Sequence, residues 1–316
     1  MYNLQHLKYA VEVARTGSIS RAAENLYMGQ PRLSRAIREL EEESSLILFN
    51  RTSKGVTLTQ KGADFLDRAR SILAQIEELE AMYKPTDGAA LRFDLCAPRA
   101  SYVAAAFVAF AGSLDPTREI RLNYRETHAA RALQNVTDGT NNLAVIRAQA
   151  IHERYLFSAL DERELRRRPV AEFAARVLMA GTHPLAQRDR LTAEDLAPYT
   201  ELLHGDTSVP SLPVTEARQL AQEAEDRRTI AVYERASQFE LLTGVPGAYM
   251  WVSPMPSDVL ARFGLSERPC EKPNNLYRNY LIYRRGYRFT EEDELFCEKL
   301  SDEANLLGIA PAQSRE

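Results

Sequence analysis

Residues 17–58, GSISRAAENLYMGQPRLSRAIRELEEESSLILFNRTSKGVTL, decide how the amino-terminal part of this chain folds. They predict a short helix, a tight turn, a second helix that starts at a proline, and then a glycine-tipped basic hairpin. Gly17 stops the preceding segment, and Ser18 or Ser20 offers the hydroxyl that caps the next helix. Ala22, Ala23 and Leu26 face inward from the short helix, and Tyr27-Met28-Gly29 makes the turn. Pro31 sits at a first helical position, where its missing N–H costs nothing. Upstream, Leu4, Leu7, Ala10, Val11 and Ala14 recur at helical spacing and predict an amphipathic helix that runs to about Arg15.

The helix led by Pro31 carries the chemistry. Leu33, Ile37 and Leu40 fall at i, i+4 and i+7, which predicts its buried face. Gln30, Pro31, Arg32, Ser34, Arg35 and Arg38 are then left outside, near its amino end. A guanidinium can grip guanine O6 and N7, a glutamine amide can pair with adenine, and either can hold phosphate. Taken alone, the pattern fits an ordinary solvated basic helix equally well. The hairpin tilts the choice. Phe49 is expected beneath it, while Arg51, Thr52, Lys54 and Gly55 gather at its tip, as in a wing touching backbone or minor groove. Ser20, Arg51 and Lys54 are the candidates for phosphate, and Arg21 and Thr52 complete the DNA-facing set.

The run Leu4–Leu66 resembles the winged helix-turn-helix of LysR-type transcriptional regulators, through GSISRAAENL, QPRLSRAIRELE and LFNRTSKGVTLTQKG. The match covers nearly all of that domain without gaps. Gly29 stands where the family usually has serine, and Ser44-Ser45 replaces the usual Leu-Gly that closes the third helix. The resemblance implies an α/β chain in three parts. Residues 1–59 form a winged helix-turn-helix DNA-binding domain, and residues 60–84 form a linker and dimerisation helix. Residues 91–309 form a two-lobed effector domain of periplasmic-binding-protein-like fold.

From Gln60 to about Tyr83 a long helix is expected. Phe65, Ala69, Ile72, Ile76, Leu79 and Tyr83 step by 4, 3, 4, 3 and 4, the spacing of a coiled-coil seam. Packing on its own domain is the alternative. Pairing with a second copy is favoured because a two-fold dimer doubles the DNA site, and the family's helix dimerises. Lys84-Pro85-Thr86-Asp87-Gly88 then breaks the periodicity.

Beyond it, short apolar strands alternate with amphipathic helices, which implies an α/β domain. Strands are expected at 91–97, 120–125, 143–147, 176–180, 201–204, 229–233, 248–253 and 279–284, and helices at 101–112, 128–137, 192–196, 213–224, 238–243 and 291–307. VLMAGTHPLAQRDRLTAEDLAPYTELL resembles the second half of the LysR effector domain, with a structural HPLA turn that leaves His183 no catalytic role. At Asn141-Asn142-Leu143-Ala144 the family often carries an aspartate, absent here. Such folds hold small molecules beyond the carboxyl ends of parallel strands. That rule delivers Pro98, Arg99, Ala100 and Ser101 from the first strand, Thr127 from the second, and Arg147 and Gln149 from the third. His204, Asp206, Thr207 and Glu234 come from the other lobe. Arg99 and Arg147 would suit a carboxylate-bearing effector; surface or inter-lobe ion pairs are the competing role.

Composition bounds the rest. The formal net charge is −4, so the whole chain is no basic nucleic-acid sponge, yet residues 1–62 hold nine Lys/Arg against six Glu. A focused patch of this kind predicts salt-dependent DNA affinity. The amino end lacks the pattern of a secretory signal, and the longest apolar run, Val103–Ala111, is too short to cross a bilayer. Cys96, Cys270 and Cys297 are odd in number and widely spaced, as in a reducing cytoplasm; a redox-sensing pair is the less favoured reading. No Gly-rich phosphate loop, HExxH, CxxC or GxSxG occurs, and the five histidines show no metal-ligand spacing, so neither enzyme, metal nor cofactor is expected.

The expectation is a cytoplasmic, DNA-binding transcriptional regulator modulated by a small-molecule effector. It would work as a homodimer, commonly a tetramer in the family, and would contact promoter DNA and polymerase. An effector-independent regulator is one alternative. A ligand-binding scaffold that no longer reads DNA is another.

Overall fold

The computed structural model describes residues 2–52, 55–83, 90–206 and 228–312. The chain forms two compact units. One holds Met1–Ala89, and the second begins at Ala90, the turn Thr137–Thr140 excepted.

The first unit is a helical head with a hairpin. Helix α1 (Leu4–Thr16) starts at Asn3, whose side chain accepts from the Gln5 N–H, and ends at Gly17, at φ +63°. Helix α2 (Ile19–Asn25) is capped by Ser18, whose hydroxyl accepts from the Arg21 N–H at 3.4 Å; Ser20 is exposed and caps nothing. Helix α3 (Gln30–Ser44) begins at Gly29 without a side-chain cap, with Pro31 in its first turn. It ends at Ser45, which adopts φ +53°, a conformation that favours glycine. The serine found there in place of the family's usual glycine therefore holds a strained turn rather than a different helix end.

Leu33, Ile37 and Leu40 are fully buried beside Leu7, Val13 and Ala22. Strands β1 (Phe49–Thr52) and β2 (Gly55–Leu58) form the antiparallel hairpin, with Phe49 buried beneath it. The hairpin is tied on at two places. The Glu41 carboxylate accepts from the Leu48 and Phe49 N–H groups at 2.8 and 3.1 Å, and the Val56 N–H donates to the Gly17 carbonyl at 2.9 Å.

Helix α4 (Gln60–Tyr83) opens on Thr59, whose hydroxyl accepts from the Gly62 N–H and donates to the Ile47 carbonyl. Its first turns pack on the head, with Leu66, Ala69 and Leu73 in the core. This corrects the expected seam. Ala69, 3% exposed, belongs to the head's own core, and Phe65 packs against the same core with its ring on Tyr2 at 5.6 Å. Ile72 and Leu79 remain about half exposed and Ile76 is partly covered. The first turns cannot serve two partners, because their apolar residues are already used. The break at residues 84–88 and the expected helix at 213–224 lie outside the described residues.

The second unit has two lobes. In lobe I a five-stranded sheet has the order β4-β3-β5-β13-β6. Strands β3 (Leu91–Ala97), β4 (Ile120–Glu126) and β5 (Leu143–Gln149) are mutually parallel, and β13 (Leu276–Arg284) runs antiparallel between β5 and β6 (Leu165–Ala174). Helices α5 (Ser101–Ser113) and α11 (Glu291–Leu306) supply Phe110 and Phe296, which pack with Phe93 on one face. Helices α6 (Ala129–Thr137) and α7 (Glu153–Asp161) cover the other. Lobe II holds a sheet of order β10-β9-β11-β7-β12-β8. Its strands are β7 (Arg176–Ala180), β8 (Leu191–Thr192), β9 (Thr200–His204), β10 (Thr229–Val232), β11 (Ala248–Val252) and β12 (Leu265–Glu271); its helices are α8 (Ala193–Leu196), α9 (Arg235–Gly244) and α10 (Ser257–Phe263). Among the described residues the chain passes between lobes at Ala175 and at residues 272–275.

Strands β6, β8 and β12 and helices α7 and α10 were not expected. β6 reads LRRRPVAEFA, and its three arginines and proline hide the alternation. It is an edge strand, and Pro169 lies where the register against β13 shifts. A proline is tolerated at such an irregularity on an edge. The HPLA turn is structural: His183 is buried, accepts from the Leu185 N–H at Nδ1, and packs on Tyr199 at 4.5 Å.

A Cβ at Gly62 would lie 2.1 Å from the Leu48 carbonyl oxygen, a backbone atom that cannot swing away. Gly62→Ala is therefore expected to destabilise the head by about 1–3 kcal/mol. Ser45→Gly should stabilise it by about 1 kcal/mol. Thermal denaturation of the two variants should move the melting point in opposite directions.

Candidate functional site

The head presents one continuous polar face. With Leu33, Ala36, Ile37 and Leu40 buried, α3 turns Gln30, Pro31, Arg32, Arg35 and Arg38 to solvent, and Ser34 is partly covered. Ser20 and Arg21 are exposed on α2, so the structure leaves the expected residues of both helices accessible. Among the described residues, no acid pairs with Arg21, Arg32, Arg35 or Arg38. Two acids of the head are engaged elsewhere. Glu12 takes a two-pronged bond from Arg15 and another from Asn25, which holds its carboxyl below the usual range, and Glu41 caps the hairpin. The wing residue Lys54 and the side chains of Arg51 and Thr52 lie outside the described residues. Tyr27, which the sequence reading gave only to the turn, stands almost fully exposed between α2 and α3 at φ +51°.

In the second unit a cavity of about 40 Å³ lies at the carboxyl ends of parallel strands from both lobes. Arg99, Ser101 and Arg147 line it from lobe I. His204, Arg235, Gln238 and the segment Met250–Ser253 with Met255 line it from lobe II. Of the expected set, Arg99, Ser101 and Arg147 thus come together, joined by His204. Thr127 and Gln149 do not line it. The Thr127 N–H continues the sheet by donating to Ala97, and the Gln149 amide donates to the Asn274 carbonyl at 2.7 Å. Thr207 lies outside the described residues. Arg235, Gln238, Trp251 and Ser253 were missed. Gln238 had been placed at the start of its helix, whereas α9 begins three residues earlier at Arg235, so both face the cavity from its first turn.

The arginines divide by partner. Arg99 makes a bidentate pair with Asp206, both bonds at 2.8 Å, and donates to the Tyr233 carbonyl. It is an inter-lobe tie rather than a free effector grip, which corrects the expectation for this residue. Arg235 crosses the other way, to Glu126 and to the Ser101 hydroxyl at 2.7 Å. Arg147 pairs with no acid among the described residues. Burial, with Arg99 nearby, pushes His204 down to about 4, so its ring is neutral at physiological pH. Among the described residues, no group of three or more His, Cys, Asp or Glu could hold a metal ion. No described helix is long and apolar enough to cross a membrane.

A bare basic helix beside a hairpin, followed by a two-lobed α/β unit, is the arrangement that the family comparison recognises. Residues 4–63 match the bacterial regulatory helix-turn-helix protein, lysR family, and residues 117–305 match the LysR substrate binding domain. The chain belongs to the LysR family. It is a DNA-binding transcriptional regulator with an effector-binding domain. LysR regulators bind DNA and small-molecule effectors and oligomerise. The hydrogen peroxide-inducible genes activator of Dickeya chrysanthemi is 25% identical to this LysR chain over 311 residues, 96% of each protein. The dual regulator OxyR of Escherichia coli K12 is 26% identical over 308 residues, 94% of each. A full-length OxyR variant from Pseudomonas aeruginosa shares the fold with TM-score 0.67 at 19% identity, covering 95% of this chain and 98% of that one. CbnR, a LysR family transcriptional regulator, gives 0.58 at 18%, covering 96% and 99%.

Arg99 holds the Asp206 carboxyl below its ordinary value. A carboxyl so lowered contributes stability above its unfolded pKa and loses that contribution as pH falls through the folded one. Asp206→Ala is therefore expected to destabilise this LysR effector domain by about 2 kcal/mol at pH 7. The gap from wild type should shrink as the pH is taken below about 4. Paired denaturant titrations at the two pH values check both parts.

Proposed function

We propose that this LysR-family regulator works in the cytoplasm as a sequence-specific reader of promoter DNA. In this reading residues 1–59 bind DNA, residues 60–84 join two copies, and residues 91–309 receive the effector. The observation that carries the DNA assignment is the unpaired arginine face of α3. Among the described residues Arg32, Arg35 and Arg38 are exposed without acid partners, while Glu12 and Glu41 are held by other donors. Gln30, Pro31, Arg32, Ser34, Arg35 and Arg38 enter the major groove. Ser20, Arg21, Arg51, Thr52 and Lys54 hold the backbone beside it, a division that matches how such folds separate base readout from positioning.

Dimerisation rests on the distal part of α4. Ile72, Ile76 and Leu79 keep the 4, 3 spacing, and two of them are about half exposed; Phe65 and Ala69 are withdrawn from the seam. A two-fold pair places two copies of α3 in adjacent grooves of a partly palindromic site. Association of dimers into tetramers, and an effector-dependent change in DNA bending and polymerase contact, follow the family's habit.

A peroxide signal, suggested by the names of the relatives, finds little support in the thiols. Cys96 and Cys270 are buried, and Cys297 is partly covered with its thiol pushed up to about 11. Burial also raises Cys270. A reactive cysteine needs the opposite, an accessible and lowered thiol.

Fluorescence anisotropy with DNA from its own promoter region tests the reading. Arg35→Ala is expected to weaken binding by about 1–3 kcal/mol at one base position if it reads a base. A loss uniform across sequences would make it a phosphate contact, and no loss at all would sink the assignment. Ile72→Asp with Leu79→Asp should halve the mass seen by light scattering with the circular dichroism unchanged; an unaltered mass would remove α4 as the dimer seam.

A further inference from the structure

Among the described residues, Arg147 is a cation without an acid. Its Nε donates to the Asn279 amide oxygen at 3.3 Å, and its guanidinium carbon lies 5.0 Å from the Phe173 ring centre, but neither neighbour brings negative charge. Asn279 is itself fully buried and donates to the Tyr102 hydroxyl at 2.5 Å, so it has no freedom to follow the arginine. Arg147 Nη2 is sealed from solvent and has no hydrogen-bond partner among the described residues. The other two arginines of the cavity wall are balanced, Arg99 by Asp206 and Arg235 by Glu126. A lone guanidinium removed from water is unfavourable. An anion that accepts from it reverses that.

Three more polar atoms of residues lining the cavity lack partners among the described residues: Trp251 Nε1, Gln238 Oε1 and His204 Nδ1. Six buried side-chain atoms among the described residues are orphaned in this way, so four of them belong to residues lining one small space. Their chemistry is mixed. Arg147 and Trp251 can only donate, whereas an amide oxygen such as that of Gln238 can only accept. A simple anion would satisfy Arg147 and leave Gln238, 4% exposed, facing a second acceptor. The occupant therefore carries an O–H beside its charge. Size is the second constraint. A space of 40 Å³ holds about three water-sized groups, and the lobes are tied across it by the Arg99–Asp206 and Arg235–Glu126 pairs.

We propose that the cavity takes a compact hydroxycarboxylate of about the size of glycolate, its carboxylate against Arg147 and its hydroxyl donating to Gln238. The proposal rests on the reading of this domain as an effector receptor and gives the effector its chemical class. Larger acids would have to break the two inter-lobe ties to enter.

Isothermal titration of the full-length protein tests it with three probes: glycolate, acetate (the anion without the hydroxyl) and ethylene glycol (hydroxyls without the anion). Glycolate is expected to bind at least ten-fold more tightly than acetate, and ethylene glycol not to bind. Gln238→Leu should bring glycolate down to the level of acetate. Arg147→Met should abolish binding of both anions while raising the melting temperature of the ligand-free protein, because a buried charge without a partner has been removed. A lower melting temperature in that variant would mark Arg147 as a structural brace and overturn the proposal. Equal affinity for glycolate and acetate, or heat only from a larger acid such as succinate, would also overturn it. Promoter-DNA anisotropy on the same samples separates the two readings. DNA binding that persists while glycolate is ignored removes the hydroxycarboxylate alone. Glycolate binding without any DNA binding supports the cavity assignment and removes the regulator reading.

Discussion

A fifteen-residue helix with Leu33, Ala36, Ile37 and Leu40 sunk in a core has no choice about what its opposite side displays. That geometric constraint orients everything else in the head. The arginines face outward because the leucines face inward, and the core that holds them is built from α1, α2, the hairpin and the first turns of α4 together. Burial of each leucine or isoleucine there is worth about 1.5–3 kcal/mol, more than a typical surface ion pair. The head therefore tolerates a glycine where α3 could be capped and a strained serine where it ends. The same head gives Glu12 and Glu41 donors of their own, Arg15 and Asn25 for one and the hairpin N–H groups for the other.

The second unit uses arginine in two opposed ways. Arg99 and Arg235 each reach from one lobe to a carboxylate on the other, so closure is written into the protein before any ligand arrives. Arg147, a few residues from the end of β5, is left unbalanced in the space those ties enclose. A ligand there meets walls that are already positioned, and it loses little freedom of the protein on binding. Responsiveness then depends on how the occupied and empty cavities differ in lobe separation, since a ligand shifts an equilibrium only by its unequal affinity for the two states.

The head was legible because each of its signals is local. Gly17, Ser18, Pro31 and the i, i+4, i+7 leucines act within a turn or two of themselves, and the buried and exposed residues of α3 fall where the periodicity places them. The seam on α4 was misjudged for the opposite reason. The 4, 3 spacing runs unbroken from Phe65 to Tyr83, and nothing along the chain says that Leu66, Ala69 and Leu73 meet the head first. The same limit hid β6, whose arginines and Pro169 are acceptable only because it lies at a sheet edge. In the effector cavity, strand ends located Arg99, Ser101, Arg147 and His204, but a strand end says only which loop a residue joins. Whether a carboxylate from the other lobe will claim an arginine is a tertiary fact, and it separated Arg99 from Arg147. Gln238 and Trp251 were invisible for a related reason: a glutamine on a helix and a tryptophan in a strand are unremarkable until the atoms around them fail to satisfy them.

The crossings at Ala175 and at residues 272–275 place the described strands of lobe II between two stretches of lobe I. Strand β13, which fills the gap between β5 and β6, comes from residues 276–284, after all of those strands. During synthesis the amino-terminal strands of lobe I must wait with open edges while roughly a hundred residues emerge and fold beside them. The lobe begun first is thus the lobe completed last, and its exposed β5 and β6 are the segments a nascent chain would most need to keep from pairing with its neighbours.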